Sequence, residues 1–258
     1  MSKSKDEIVK DWLPRYTGTQ LEDFGEYILL TNFSHYLTLF SEKFGIEIKG
    51  KNKAMPSVTH GNITLINFGM GSPNAASIMD LLTAIMPKAV LFLGKCGGLK
   101  PVSDLGDYIL PIAAIRGEGT SNDYFPPEVP ALPAFTLQQE LSAVINEYHE
   151  DYWTGTVYST NRRVWEYDND FKEYLKKIRC LAIDMETATL FTVGFANRIP
   201  CGALLLVSDQ PMISTGIKTE KSDNIVTTKY VNTHFEIGVE TMQRLSKSGV
   251  PIRHLRFD

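Results

Sequence analysis

Two short polar motifs each close an apolar run. Asp184-Met185-Glu186 follows Cys180-Leu181-Ala182-Ile183, and Ser208-Asp209-Gln210 follows Ala203-Leu204-Leu205-Leu206-Val207. Such runs read as buried strands, and open α/β sheets bind ligands at the carboxyl ends of their strands. A carboxylate in apolar surroundings is costly unless something pairs with it or uses it. Two of them at two strand ends suggest one that grips a substrate and one that shuttles a proton.

Four further strand exits carry glycines or cations. Gly69-Met70-Gly71-Ser72-Pro73 follows an apolar run and opens a helix. Glycines there let a backbone approach a ligand, and a helix N-terminus offers free N–H groups. The same pattern also serves a plain strand-to-helix turn, and it is neither a P-loop nor a full dinucleotide fingerprint. In Gly94-Lys95-Cys96-Gly97-Gly98 the lysine stands at the tip of a buried strand. An unpaired buried ammonium is expensive, so Lys95 is expected to face an anion or a carboxylate inside a site. Arg116 precedes Gly117-Glu118-Gly119-Thr120-Ser121. Its planar fork suits phosphate or carboxylate, and a surface loop with one ion pair is the alternative. Arg162-Arg163-Val164-Trp165 pairs two cations with a ring that could stack on a base; the alternative is a solvated helix start bonded to Glu166 or Asp168. His35, His60, His149, His234 and His254 are scattered, with neither metal-ligand spacing nor a Ser-His-Asp order. No metal and no cofactor is expected.

These residues need a scaffold. Strand-like runs fall at 27–30, 63–68, 89–93, 108–112, 156–160, 181–183 and 203–207, with helical patterns at 34–44, 73–86, 137–148, 187–197 and 225–245. Strands alternating with helices mean an α/β fold whose largely parallel or mixed sheet is covered on both faces. The stretch 117–133 holds four prolines and no period, so it reads as a long ordered loop. No composition shift marks a linker, and residues 1–258 are expected to form one domain. The chain is 43% hydrophobic and 22% charged with a net charge of -4, and its pI is about 5.8. That balance argues against nucleic-acid binding driven by counterion release, while a local basic pocket for one phosphate stays compatible with it. Cys96, Cys180 and Cys201 lie in apolar runs without a C-x-x-C pair, as free thiols in a reducing compartment would. The polar start Met1–Asp6 lacks a signal-peptide core, and no window approaches the ~20 apolar residues of a membrane span. A cytoplasmic, soluble protein is expected.

Taken in order, Gly69-Met70-Gly71, Gly94-Lys95-Cys96-Gly97-Gly98, Arg116 with Gly119-Thr120-Ser121, Asp184-Met185-Glu186 and Ser208-Asp209 resemble the purine and uridine nucleoside phosphorylase family, which also contains nucleosidases. The likeness runs from about Tyr27 to about Leu245. It implies a three-layer α/β/α fold around a mixed, partly barrel-like sheet, and a homo-oligomer, a hexamer favoured. By position it implies that Glu186 binds the ribose hydroxyls, that Met185 packs on the sugar, and that Asp209 protonates N7 of a leaving purine while Ser208 holds that loop. Gly71 and Thr120 belong to the matching motifs and join the substrate-binding set.

The departures narrow the chemistry. Phosphorylases of the family hold phosphate with a glycine-aspartate-proline-x-arginine motif, and the matching stretch here is Thr31-Asn32-Phe33-Ser34-His35. The arginine has become His35, a second family arginine falls at Phe92, and the family's serine or threonine is Lys95. A site without those ligands is poorly suited to a doubly charged nucleophile, so hydrolysis is expected. Among the family's hydrolases, 116–133 and 162–166 look most like the AMP nucleosidases. The resemblance therefore implies AMP plus water giving adenine and ribose 5-phosphate, by a catalytic domain without the extra N-terminal regulatory domain of longer bacterial forms. The 5′-phosphate then needs cations, with Lys95, Arg116, Arg162 and Arg163 as candidates and Trp165 as a stack for the purine. Alternatives are a nucleoside phosphorylase, a methylthioadenosine-type nucleosidase, or a non-catalytic nucleotide sensor.

Overall fold

The apolar runs become strands because each is covered from both sides. The computed structural model describes residues 3–249, so Met1, Ser2 and His254 lie outside the described residues. The chain runs α1 (Lys5–Thr17), β1 (Tyr27–Thr31), α2 (Ser34–Phe44), β2 (Ser57–His60), β3 (Ile63–Asn67), α3 (Ser72–Leu81), β4 (Ala89–Gly98) and β5 (Tyr108–Gly117). It continues through α4 (Phe135–Glu147), β6 (Tyr152–Thr160), α5 (Asn169–Lys177), β7 (Ala182–Asp184), α6 (Thr187–Ala196), β8 (Cys201–Asp209), α7 (Glu220–Lys229) and α8 (Val231–Ser248).

The sheet order is β2-β3-β1-β4-β7-β6-β5-β8, and β8 pairs back onto β4. Strands β4, β7, β6, β5 and β8 thus close into a barrel, and β1, β3 and β2 extend from its β4 side. Alternate residues of β1 point to opposite faces: Ile28 and Leu30 join the cluster under α1, α3 and α6, while Tyr27 and Leu29 join the one under α2, α4 and α8. This is the expected three-layer fold with a barrel-like sheet. Every residue of β1, β4 and β8 is buried, which is why these strands read as unbroken apolar runs rather than as alternation.

The pairing register places the chemistry. Thr31 lies beside Leu93, Gly97 faces Ile183 and pairs with Asp209, and Ser159 lies beside Asp184. The polar ends of β1, β4, β6, β7 and β8 therefore meet at one rim.

Two differences from the sequence expectation have physical causes. Helices α1 and α5 carry weak apolar signals, since α1 buries only Val9, Leu13 and Thr17, and α5 only Leu175. Helix α1 is instead fixed at its N-terminal end: Ser4 and Glu7 form a capping box, and Lys5 reaches Asp80 on α3 at 2.7 Å. The expected single helix over 225–245 is two helices broken at Tyr230, whose ring fills the space above Gly106, where a Cβ would lie 2.6 Å from it. The stretch 117–133 is ordered, as expected, and carries one turn of 3₁₀ helix and a bridge from Ala114 to Ala131. Among the described residues no helix is long and apolar enough to cross a membrane.

Candidate active site

Glu186 sits in the two-residue turn between β7 and α6. The turn is held by Asp184, whose Oδ2 accepts from the Thr187 backbone N–H at 2.9 Å and from the Thr187 hydroxyl, and whose Oδ1 accepts from Ser159 Oγ at 2.6 Å. Asp184 thus satisfies the first N–H of α6 and fixes the turn. Burial pushes its pKa up against the pull of those hydrogen bonds. Glu186 is only 2% exposed. Its Oε1 accepts from Gly71 N at 2.7 Å and its Oε2 from Met185 N at 3.1 Å. Burial and the neighbouring Asp184 charge push its pKa up to about 7, while the two backbone N–H groups and the Asn32 side chain resist. Gly71 adopts φ 92°, ψ 159° just before α3, a conformation open in practice only to glycine, and this aims its N–H at Glu186. Ser72 Oγ donates to the Met185 carbonyl at 2.6 Å and locks the two turns together.

Asp209 is delivered by a β-bulge. Strand β8 pairs with β4 residue by residue up to Cys96 and Val207, and then Gly97 pairs with Asp209. Ser208 is the extra residue, and such bulges bend a strand and re-aim its side chains. The Ser208 hydroxyl donates to Asp209 Oδ1 at 2.7 Å. Burial raises the Asp209 pKa, opposed by Ser208 and by the positive charges of Lys218 and Arg163. A raised pKa suits a carboxyl group that must donate a proton.

The cations divide into two groups. Lys95 and Arg163 line the same cleft as Met185, Glu186, Ser208 and Asp209, and Lys218 joins them. Lys95 Nζ meets Asp223 Oδ1 at 3.0 Å and Thr227 Oγ1 at 3.1 Å, so its expected carboxylate partner is there. Burial lowers the Lys95 pKa against the pull of Asp223. The other group serves structure. Arg116 directs its donors to the side chains of Ser121 and Asn122 and to the carbonyls of Phe125, Pro126 and Val129. It organises the 117–133 loop, as does the buried Glu118 beneath it, which accepts from Ser121 N and Thr189 Oγ1. Thr120 lies in that loop's 3₁₀ turn, outside the cleft lining. Arg162 bonds Asp168 at 2.8 Å and lies over the Phe171 ring. Trp165 is 4% exposed and packs edge-on against Phe171 in a cluster with Tyr158 and Leu175, a core residue instead of an open stacking platform. Replacing Arg116 with alanine is expected to lower stability by ~2 kcal/mol, since several charge-assisted bonds go unmade, and to expose 117–133 to proteolysis. Denaturant unfolding and limited digestion measure both effects.

Sequence reasoning left Asn32, Phe33, Met70 and Lys218 out of the candidate set, yet all four line the cleft. Asn32 and Phe33 fall in the stretch where the family's phosphate motif would be, and that was the available signal. Lys218 lies in a loop beyond β8 with no motif to mark it. The Asn32 Oδ1 atom is buried without a hydrogen-bond partner. The assembled cleft holds Glu186 braced by backbone N–H groups, Asp209 with its carboxyl free at Oδ2, and a cationic wall. It can grip a diol, protonate a leaving group and hold an anion.

The family model of the phosphorylase superfamily matches residues 26–247. This chain belongs to the phosphorylase superfamily. The superfamily match spans every element from β1 to α8 and includes both carboxylate motifs. Among curated relatives, AMP nucleosidase of Escherichia coli strain K12 is 28% identical over 283 aligned residues, which cover 92% of this chain and 58% of that protein. The chain thus spans less than two thirds of that relative's length. Among solved structures, the crystal structure of AMP nucleosidase from Bacteroides thetaiotaomicron VPI-5482 is 57% identical with a TM-score of 0.84, covering 95% of this chain and 100% of that one. Uridine phosphorylase from Vibrio fischeri ES114 shares the fold at 21% identity, with a TM-score of 0.77 and coverage of 87% of this chain and 94% of its own.

Proposed function

We propose that this chain hydrolyses the N-glycosidic bond of AMP to adenine and ribose 5-phosphate. The observation that carries the reading is the fate of the three phosphate-ligand positions. His35 is exposed on α2, Phe92 is buried in the core against Phe68, and Lys95 is ion-paired to Asp223. None presents an arginine to the sugar, so water is the better nucleophile. The two AMP nucleosidase relatives support the same substrate.

Cleavage builds positive charge on the ribose and negative charge on the departing base. Asp209 answers the second. Its Oδ1 is tied to Ser208, so the proton for N7 leaves from Oδ2, and adenine departs neutral. Glu186 answers the first. Its carboxylate grips the ribose hydroxyls and places negative charge beside the cationic sugar, a stabilisation that grows towards the transition state. Met185 packs on the sugar, and Lys95, Arg163 and Lys218 supply positive charge for the 5′-phosphate. Residues 1–258 act as one catalytic domain, in the cytoplasm and in purine salvage. A homo-oligomer, a hexamer favoured, would cover the exposed Ile112 and Phe135.

Incubation with AMP, adenosine, IMP and methylthioadenosine, with and without inorganic phosphate, tests the reading by identifying the released base and sugar. Adenine and ribose 5-phosphate from AMP, unchanged by added phosphate, are expected. Appearance of ribose 1,5-bisphosphate would overturn hydrolysis, and cleavage of adenosine as fast as AMP would overturn the nucleotide preference.

A further inference from the structure

Two ammonium groups converge on one carboxylate at the edge of the cleft. Lys95 Nζ and Lys218 Nζ each lie 3.0 Å from the same Asp223 oxygen, Oδ1. Both also stand over the Phe33 ring, 4.7 and 5.8 Å from its centroid. Lys95, Lys218 and Phe33 line the cleft that holds Glu186 and Asp209. The Lys95 side chain is only 5% exposed, whereas that of Asp223 is 40% exposed. Two cations against one anion leave positive charge turned into a buried space, and a ring face beneath them adds an apolar wall with a negative quadrupole. Against the upward push of its partial burial, the two lysines hold the Asp223 carboxyl below the ordinary range, so it is a full anion at neutral pH.

The element that carries Asp223 is lightly held. Helix α7 has one buried side chain, Val226, whereas α8 behind it buries nine residues. Asp223 and Thr227 are four residues apart and so share the α7 face that meets Lys95. The helix is broken at Tyr230, between α7 and α8.

We propose that the Lys95–Lys218 pair is a subsite for a phosphate dianion, and that Asp223 is its internal competitor, displaced from the lysines when the phosphate arrives. The inference rests on the AMP reading for the source of that phosphate, the 5′-phosphate of the substrate; free inorganic phosphate has the same chemistry. A dianion with three acceptor oxygens outcompetes a monoanionic carboxylate for two ammonium groups, and Asp223 keeps them paired until it comes. The arrangement also favours nucleotides over nucleosides, since a nucleoside brings nothing to replace the carboxylate.

Calorimetric binding of inorganic phosphate, ribose 5-phosphate and ribose to the full chain tests this without turnover. Asp223→Asn should bind inorganic phosphate and ribose 5-phosphate about fivefold more tightly than the parent protein, since the competing ion pair is gone. Lys218→Met should bind both at least tenfold more weakly and leave ribose binding unchanged. Mutual exclusion of inorganic phosphate and ribose 5-phosphate supports the substrate's own phosphate as the occupant; simultaneous binding of the two would overturn that source. Weaker or unchanged phosphate binding in Asp223→Asn would make Asp223 an organiser of the lysines and overturn the proposal. A protein that fails to cleave AMP yet shows the Asp223→Asn gain would retire the AMP reading and keep the subsite.

Discussion

Asp209→Asn is expected to lower kcat on AMP by ~10²–10⁴-fold, the usual contribution of a positioned general acid, while KM changes little. The amide keeps the shape of the side chain, and its oxygen can still accept from the Ser208 hydroxyl, so the bulge between Cys96 and Asp209 is preserved. What is lost is the dissociable proton. Adenine must then depart as an anion, without a proton on N7. The sign of the pH dependence follows from the raised pKa of Asp209. The acid form is the working form, so kcat of the parent enzyme should fall as pH rises through that pKa, and the residual rate of Asp209→Asn should lack this fall. Single-turnover release of adenine across pH measures both. A variant with parental kcat would remove Asp209 as the acid.

The two carboxylates were legible because each combines an apolar run with a sudden charge, and burial is what a run of that kind announces. Lys95 was legible for the same reason: a lysine at the tip of β4 had to find an anion, and it found Asp223. Arg116 and Trp165 show where that logic stops. A guanidinium fork that fits a phosphate fits a cluster of backbone carbonyls equally well, and only the folded 117–133 loop reveals that Arg116 is engaged with the second. Trp165 looked available because α5, the helix that covers it, has too polar a sequence to be seen; once Phe171 and Leu175 are in place, the indole is core. Lys218 and Asp223 were invisible for a different reason. Lys218 lies in a loop with no motif, and Asp223 lies on a separate short helix ending at a break, Tyr230, that the apolar pattern over 225–245 reads straight through. At that break Tyr230 packs against Gly106, a contact between positions far apart in the chain.

Glu186→Gln should reduce kcat by ~10²–10³-fold and raise KM for AMP, because one group both binds the sugar and stabilises its charge. The substitution is harsher than its size suggests. Glu186 accepts from two backbone N–H groups, one on each oxygen: Gly71 on Oε1 and Met185 on Oε2. An amide has one acceptor oxygen, so in the Glu186→Gln variant the side-chain NH₂ must face the N–H of either Gly71 or Met185, and one of the two turns loses its brace. The charge is lost as well, and with it the electrostatic complement to the cationic ribose. The pH profile separates these effects. Burial and Asp184 raise the Glu186 pKa to about 7, so in the free enzyme the carboxylate forms as pH rises through that region, and kcat/KM should climb with it. The climb should vanish in Glu186→Gln, which has nothing to ionise there, while the fall set by deprotonation of Asp209 should persist. Near-parental activity on AMP, or an acid limb that survives the substitution, would show that another group holds the ribose.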